Sequence, residues 1–186
     1  MQPEINDTIE NILDFWFTKP ISDHWFNSTP EIDQQMTVSY EATWQQAKAG
    51  EFDDWKNSAN GCLALCILLD QLPLNMFRNT AKSFSTEQQS VEIAKHAIEK
   101  GFDDEINNDR VAFLYMPLMH SENMADQNLA VECFTKTKLE GNVKFAKHHR
   151  AIVRKFGRFP HRNIALGRTS SDAEIEYLNS DAAFTG

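Results

Sequence analysis

Apolar residues recur at helical spacing along most of the chain. Ile9, Ile12, Leu13 and Trp16 share one side of a first helix, which Asp7 and Glu10 can cap and Pro20 ends. Thr29-Pro30-Glu31 offers an N-cap, a proline at the first helical position and an acid. Ile32, Met36, Tyr40, Trp44 and Ala47 follow at spacings of four and three, up to Gly50. The stretch 61–72 is apolar on nearly every side and predicts a central buried helix that Pro73 ends. Thr86 opens a helix with Val91, Ala94 and Ile98 inward and Gly101 at its end. Asn108 or Asp109 starts another through Val111, Phe113, Leu114 and Tyr115, which Pro117 must kink or break. Ser121 is placed to cap a helix through Met124, Val131 and Phe134 that stops before Gly141. The stretch 142–156 is amphipathic, with Phe145, His149, Ile152, Val153 and Phe156 on one side and Gly157 after it. Residues 158–168, with Pro160 and Gly167, lack a helical period and read as an ordered loop or short turn. Ser171 with Glu174 is a capping box for a short last helix to about Leu178.

Strand-like alternation bounded by turn pairs is absent, so the reading is all-α. Helices of this length with short connections predict a compact array of antiparallel helical hairpins, tetratricopeptide-repeat-like in shape. No signature repeats at a fixed period, so that likeness lies in shape rather than sequence. The expected organisation is one helical domain over 1–186, with a tail frayed from about Asn179.

Charge changes this picture more than composition does. The net charge is −9. Residues 136–168 nevertheless hold ten Lys and Arg against a single acid, Glu140, which leaves eight basic and twenty-six acidic residues elsewhere. An acidic body repels polyanions, which argues against nucleic acid or a membrane surface as partner. The basic segment suits a small anionic molecule or an acidic peptide end, or else it neutralises the acidic body. Cys62, Cys66 and Cys133 form no Cys-x-x-Cys pair and read as reduced core thiols of a cytoplasmic protein. The first fourteen residues lack the pattern of a signal peptide, and the apolar run 62–69 is too short to span a bilayer.

Four segments mix polar and apolar residues beyond what a core needs. In 68–75, Asp70 and Gln71 end an apolar helix; a buried carboxylate demands a partner, and Arg78 is the near candidate. In 116–127, Glu122 and Asp126 lie four apart beside His120, a set able to act as a general base. No strict metal motif accompanies them, and no metal or cofactor is expected. On 142–156, His149 sits on the apolar side, and Arg150 and Arg154 are one turn apart, a clamp for a carboxylate or phosphate. In 156–163, aromatic anchors alternate with Arg158, His161, Arg162 and Asn163 around Pro160, as in a stiff loop holding polar groups over a pocket.

Four motifs occur in order: Leu-Leu-Asp-Gln-Leu-Pro at 68–73, Asn-x-Phe-Arg-x-Thr-Ala at 75–81, Phe-Leu-Tyr-Met-Pro-Leu-Met-His-Ser-Glu at 113–122 and Phe-Gly-Arg-Phe-Pro-His-Arg-Asn at 156–163. With Ile-Leu-Asp-Phe-Trp-Phe at 12–17 and Trp25-Phe26, the chain resembles, over roughly 9–178, a bacterial family known as domain of unknown function 924. The resemblance implies a tetratricopeptide-like helical fold and no established reaction. Family members commonly carry arginine where this chain has Leu74, which leaves Arg78 alone if that turn binds an anion.

Three functions follow. A binding module would hold a small anion or acidic peptide end with Asp70, Arg78, His149, Arg150, Arg154, Arg158, His161, Arg162 and Asn163, and requires the arginines to converge. An acid–base or hydrolytic enzyme would use His120, His149 or His161 beside Glu122, Asp126 or Asp70, and requires a histidine and a carboxylate in hydrogen-bond reach. A scaffold would use the same polar groups to fix helix packing. The oligomeric state is left open.

Overall fold

A computed structural model describes residues 8–184. The helices are α1 (Ile9–Phe17), α2 (Pro30–Lys48), α3 (Ala59–Cys66), α4 (Leu72–Met76), α5 (Glu87–Lys100), α6 (Asn108–His120), α7 (Met124–Lys136), α8 (Glu140–Phe156) and α9 (Asp172–Leu178). Short 3-10 turns link several of them, and no strand occurs among the described residues. The all-helical expectation holds. Three-residue connections join α6 to α7 and α7 to α8, which forces consecutive helices to fold back and pack on each other.

Many local signals act as read. Thr29 caps α2 and Pro30 is its first residue. Ile32, Met36, Tyr40, Trp44 and Ala47 are all buried. Ser171 and Glu174 form a reciprocal capping box on α9. Gly157 ends α8 at φ 74°, a left-handed position that suits glycine and turns the chain into the 158–171 loop. Asp7 lies outside the described residues; Thr8 caps α1, accepting from the Asn11 N–H. Phe145, expected inward on α8, is 58% exposed.

Helix α3 is the centre of the core, packed against α1, α5 and α6. By length and apolarity Ala59–Met76 passes as a membrane-crossing helix, yet most of it is buried within the fold. Cys62, Cys66 and Cys133 are free and buried. Burial pushes the Cys62 thiol up to about 11 and that of Cys133 up to about 12, so both stay protonated and unreactive.

Pro73 does not end the central helix. Instead Ile67–Gln71 forms a π-helical turn, and the chain continues as α4 to Met76. Proline at 73 cannot donate to the carbonyl of Leu69, and the Thr86 hydroxyl donates to that oxygen instead, at 2.6 Å. Pro117 likewise lies inside α6, which runs unbroken to His120. Ser121 is not the cap of α7 but the residue after α6; Asn123 caps α7, accepting from Ala125 N–H.

Thr86 is 1% exposed and also accepts from Trp44 Nε1 at 3.1 Å. Thr86→Val keeps its shape and orphans both partners. It is expected to destabilise the protein by about 2–6 kcal/mol in urea unfolding, at about one to three per buried unpaired group. An unchanged midpoint would show that the proline's carbonyl needs no outside donor.

Candidate functional site

The π turn places Asp70 between α3 and α4, at 3% exposure. Its carboxylate accepts from Gln71 Nε2 and from His120 Nδ1, with 3.0 and 2.9 Å to the two oxygens. His120 is the last residue of α6, and its position is fixed from behind. Gln127 Nε2 donates to the carbonyls of Met119 (2.6 Å) and Ser121 (2.7 Å), and Ser121 Oγ donates to Asp126 (2.7 Å). With Nδ1 of His120 held against Asp70, Nε2 meets no partner among the described residues.

Two more histidines stand beside it. His149, on α8, is 6.4 Å from His120 between ring centres, and its Nδ1–H donates to the Phe145 carbonyl at 2.8 Å. His161 packs on Phe159 at 5.7 Å, and its Nδ1 is buried without a hydrogen bond among the described residues. Burial pushes the pKa of His149 down to about 3, helped by the neighbouring His120. Burial, and then the charge of Arg162, takes His161 down to about 4. Both are neutral imidazoles.

The 158–171 loop is anchored by three arginine–carboxylate pairs. Arg162, 5% exposed, donates to Glu87 at 2.7 Å and to the His120 carbonyl at 2.8 Å, sandwiched between the Phe84 and Phe159 rings. Burial raises the pKa of Glu87 despite that arginine. Arg168 grips Glu122 with two bonds of 2.7 and 2.9 Å, and Glu122 also accepts the Phe159 N–H at 2.7 Å. Burial works to raise the Glu122 pKa, but these hydrogen bonds outweigh it and lower the value. Arg158 grips Glu174 at 2.7 and 2.8 Å. Asn163, fully buried, accepts from Arg168 and donates to Ser170.

The structure therefore gathers Asp70, His120, His149, His161 and Arg162, with Glu122 and Asn163 in the loop's anchorage. It does not gather the other arginines. The partner of Asp70 is His120, not Arg78, whose guanidinium is drawn to Asp33 at 2.9 Å and Asn75 at 2.7 Å. Arg150 reaches Asn128 at 3.3 Å, Arg154 is exposed, and Arg158 is held by Glu174. Glu122 and Asp126 do not share a helical face, because α7 begins only at Met124; Asp126 turns to Ser121 and Lys95. Glu87 and Arg168 were missed by sequence reasoning: the first reads as an ordinary first-turn acid, the second as one of ten cations. Phe184, from the stretch expected to fray, was missed too; its ring lies 4.5 Å from His149 and 5.1 Å from His161. A cavity of about 360 Å³, walled by Lys48, Lys56, Leu65, Leu69, Glu92 and His96, contains none of these histidines.

These features define an all-helical protein with a buried carboxylate–histidine pair under an arginine-anchored loop. Residues 12–182 match the family described as bacterial protein of unknown function, domain of unknown function 924, and the chain belongs to that family. The solved structure of a protein of unknown function from Agrobacterium tumefaciens is similar, with 35% sequence identity and a TM-score of 0.86, covering 92% of this chain and 96% of that one. No curated protein matches the sequence.

The neutral histidines set a pH response. An unfolded histidine takes up its proton below about pH 6.5, whereas the folded His149 and His161 resist until about 3 and 4. Stability is therefore lost as pH falls through that window, by about 2 kcal/mol per histidine at pH 5. Urea unfolding at pH 7 and pH 5 should show the loss, and His149→Gln should remove its own share. A pH-independent difference between the two proteins would contradict the assignment.

Proposed function

We propose that Asp70 and His120 are the acid–base pair of an enzyme acting on a small molecule, with hydrolysis as the favoured reaction class. One observation carries the reading: a buried carboxylate holds Nδ1–H of His120 at 2.9 Å while Nε2 is free of partners among the described residues. Asp70 fixes the tautomer and balances the charge when Nε2 takes a proton from water; the water oxygen attacks the substrate carbonyl, and the proton passes to the leaving group. His149 and His161, neutral and beside it, supply a dry wall. Three free, buried cysteines support a reducing compartment, the cytoplasm. The stack of helical hairpins is read as tetratricopeptide-like in shape.

A small anionic molecule or acidic peptide end is the second reading. Arg150 and Arg154 favour it, since neither meets a carboxylate among the described residues. It is ranked lower because Arg78, Arg158 and Arg162 are each engaged by an acid.

Hydrolysis of p-nitrophenyl acetate tests the first reading. A positioned general base contributes about 10²–10⁴-fold, so His120→Ala should drop to the rate of the unfolded chain. Asp70→Asn should lose most of the rate, because an amide that donates to Nδ1 moves the proton to Nε2. Equal rates in wild type and His120→Ala would refute the assignment.

A further inference from the structure

Phe184 lies in the middle of the histidine group. Its ring meets His149 at 4.5 Å and 62°, His161 at 5.1 Å and 80°, and His148 at 6.3 Å and 71°. Phe159 closes the floor, 5.5 Å from His149 and 5.7 Å from His161. These edge-on contacts are the geometry in which the positive rim of one ring meets the negative face of another. The nook thus selects a flat, π-bearing group rather than apolar bulk alone.

Among the described residues, little besides the ring holds Phe184 there. Its N–H donates to Tyr177 Oη at 2.9 Å, and Ala183 N–H donates to the Ser180 carbonyl at 3.1 Å. Asp181 and Ala182 are exposed. Beneath the ring, hydrogen-bonding capacity is unspent. Nδ1 of His161 is buried without a partner, and Nε2 of His120 and of His149 meet none among the described residues. A phenylalanine ring uses none of it.

We infer that the nook formed by His149, His161 and Phe159 is a binding site for the aromatic ring of a substrate, and that Phe184 is an internal stand-in which that ring displaces. The ligand class is an aromatic ring bearing a polar substituent, which answers the imidazole nitrogens that Phe184 leaves idle. This names the substrate class of the acid–base site and rests on that reading for its chemistry, while ring binding is measurable apart from it.

Benzyl alcohol and cyclohexylmethanol, alike in size and polarity, are the probes. Each is titrated by NMR into wild type, Phe184→Ala, Phe184→Leu and His120→Ala, following the imidazole signals of His149 and His161. A stand-in that occupies the nook nine-tenths of the time lowers apparent affinity about tenfold. Phe184→Ala should therefore bind benzyl alcohol at least about tenfold more tightly than wild type and prefer it to cyclohexylmethanol, with both imidazole signals moving. Phe184→Leu, which keeps bulk without a ring, should give way more readily than the wild type. No gain on losing the Phe184 ring, equal binding of the two alcohols, or unmoved imidazole signals would each overturn the inference. His120→Ala should keep ring binding. If the ring binds but ester hydrolysis ignores His120, the acid–base reading falls alone; if hydrolysis needs His120 but the ring gains nothing, this inference falls alone.

Discussion

An ionised carboxylate inside an apolar helix must be met by donors, because an unpaired buried charge costs more than a small domain can spare. Asp70 is that carboxylate, and much of the structure answers to it. The helix that bears it widens into a π turn at Ile67–Gln71, which lets Gln71 and Asp70 lie together in the interior. The second donor comes from fifty residues along the chain, as His120 at the end of α6. For His120 to stand there, α6 must run through Pro117 and stop on a defined residue. Gln127 and the Ser121–Asp126 bond supply that stop by binding the last carbonyls and the first turn of α7. The packing of α3, α6 and α7 is thus tied to one buried charge.

The basic segment follows a similar logic. A loop with no helical period has backbone groups that nothing regular satisfies, so side chains must pin it. Each of its three buried or half-buried arginines reaches an acid on a different element: Arg162 to Glu87 on α5, Arg168 to Glu122 before α7, Arg158 to Glu174 on α9. The positive charge of the loop itself is therefore consumed in tying it to an acidic body. Arg162 also binds the His120 carbonyl, which couples the loop to the Asp70 pair.

Local signals in the sequence were legible where the answer is local. The Thr29–Pro30 start, the Ser171–Glu174 box and the glycine after Phe156 involve residues within a turn of each other, and each forms as read. Pro73 does not end its helix because a proline's cost depends on whether a distant donor replaces its N–H, and Thr86 does so. The need of Asp70 for a partner was visible from burial alone. The identity of that partner was not, since sequence proximity favours Arg78 and the fold delivers His120. Glu87, Arg168 and Phe184 gave no signal of their own: a first-turn acid, one cation among ten and an aromatic in a polar tail are each ordinary until packing brings them together.

The histidine group also divides its labour on physical grounds. His120, His149 and His161 share one aromatic nest, where burial works against a charge on His149 and His161. His149 spends its Nδ1–H on a neutral carbonyl, and His161 leaves Nδ1 idle, so a proton gained by either has no counter-charge in contact. His120 alone rests on a carboxylate. Under the proposed acid–base reading, a proton arriving in the nest is directed to Nε2 of His120, where Asp70 balances it, and the two neutral rings offer it no competing site. The carboxylate that poses the folding problem of a buried charge is then also the one that makes the neighbouring imidazole able to turn over a proton.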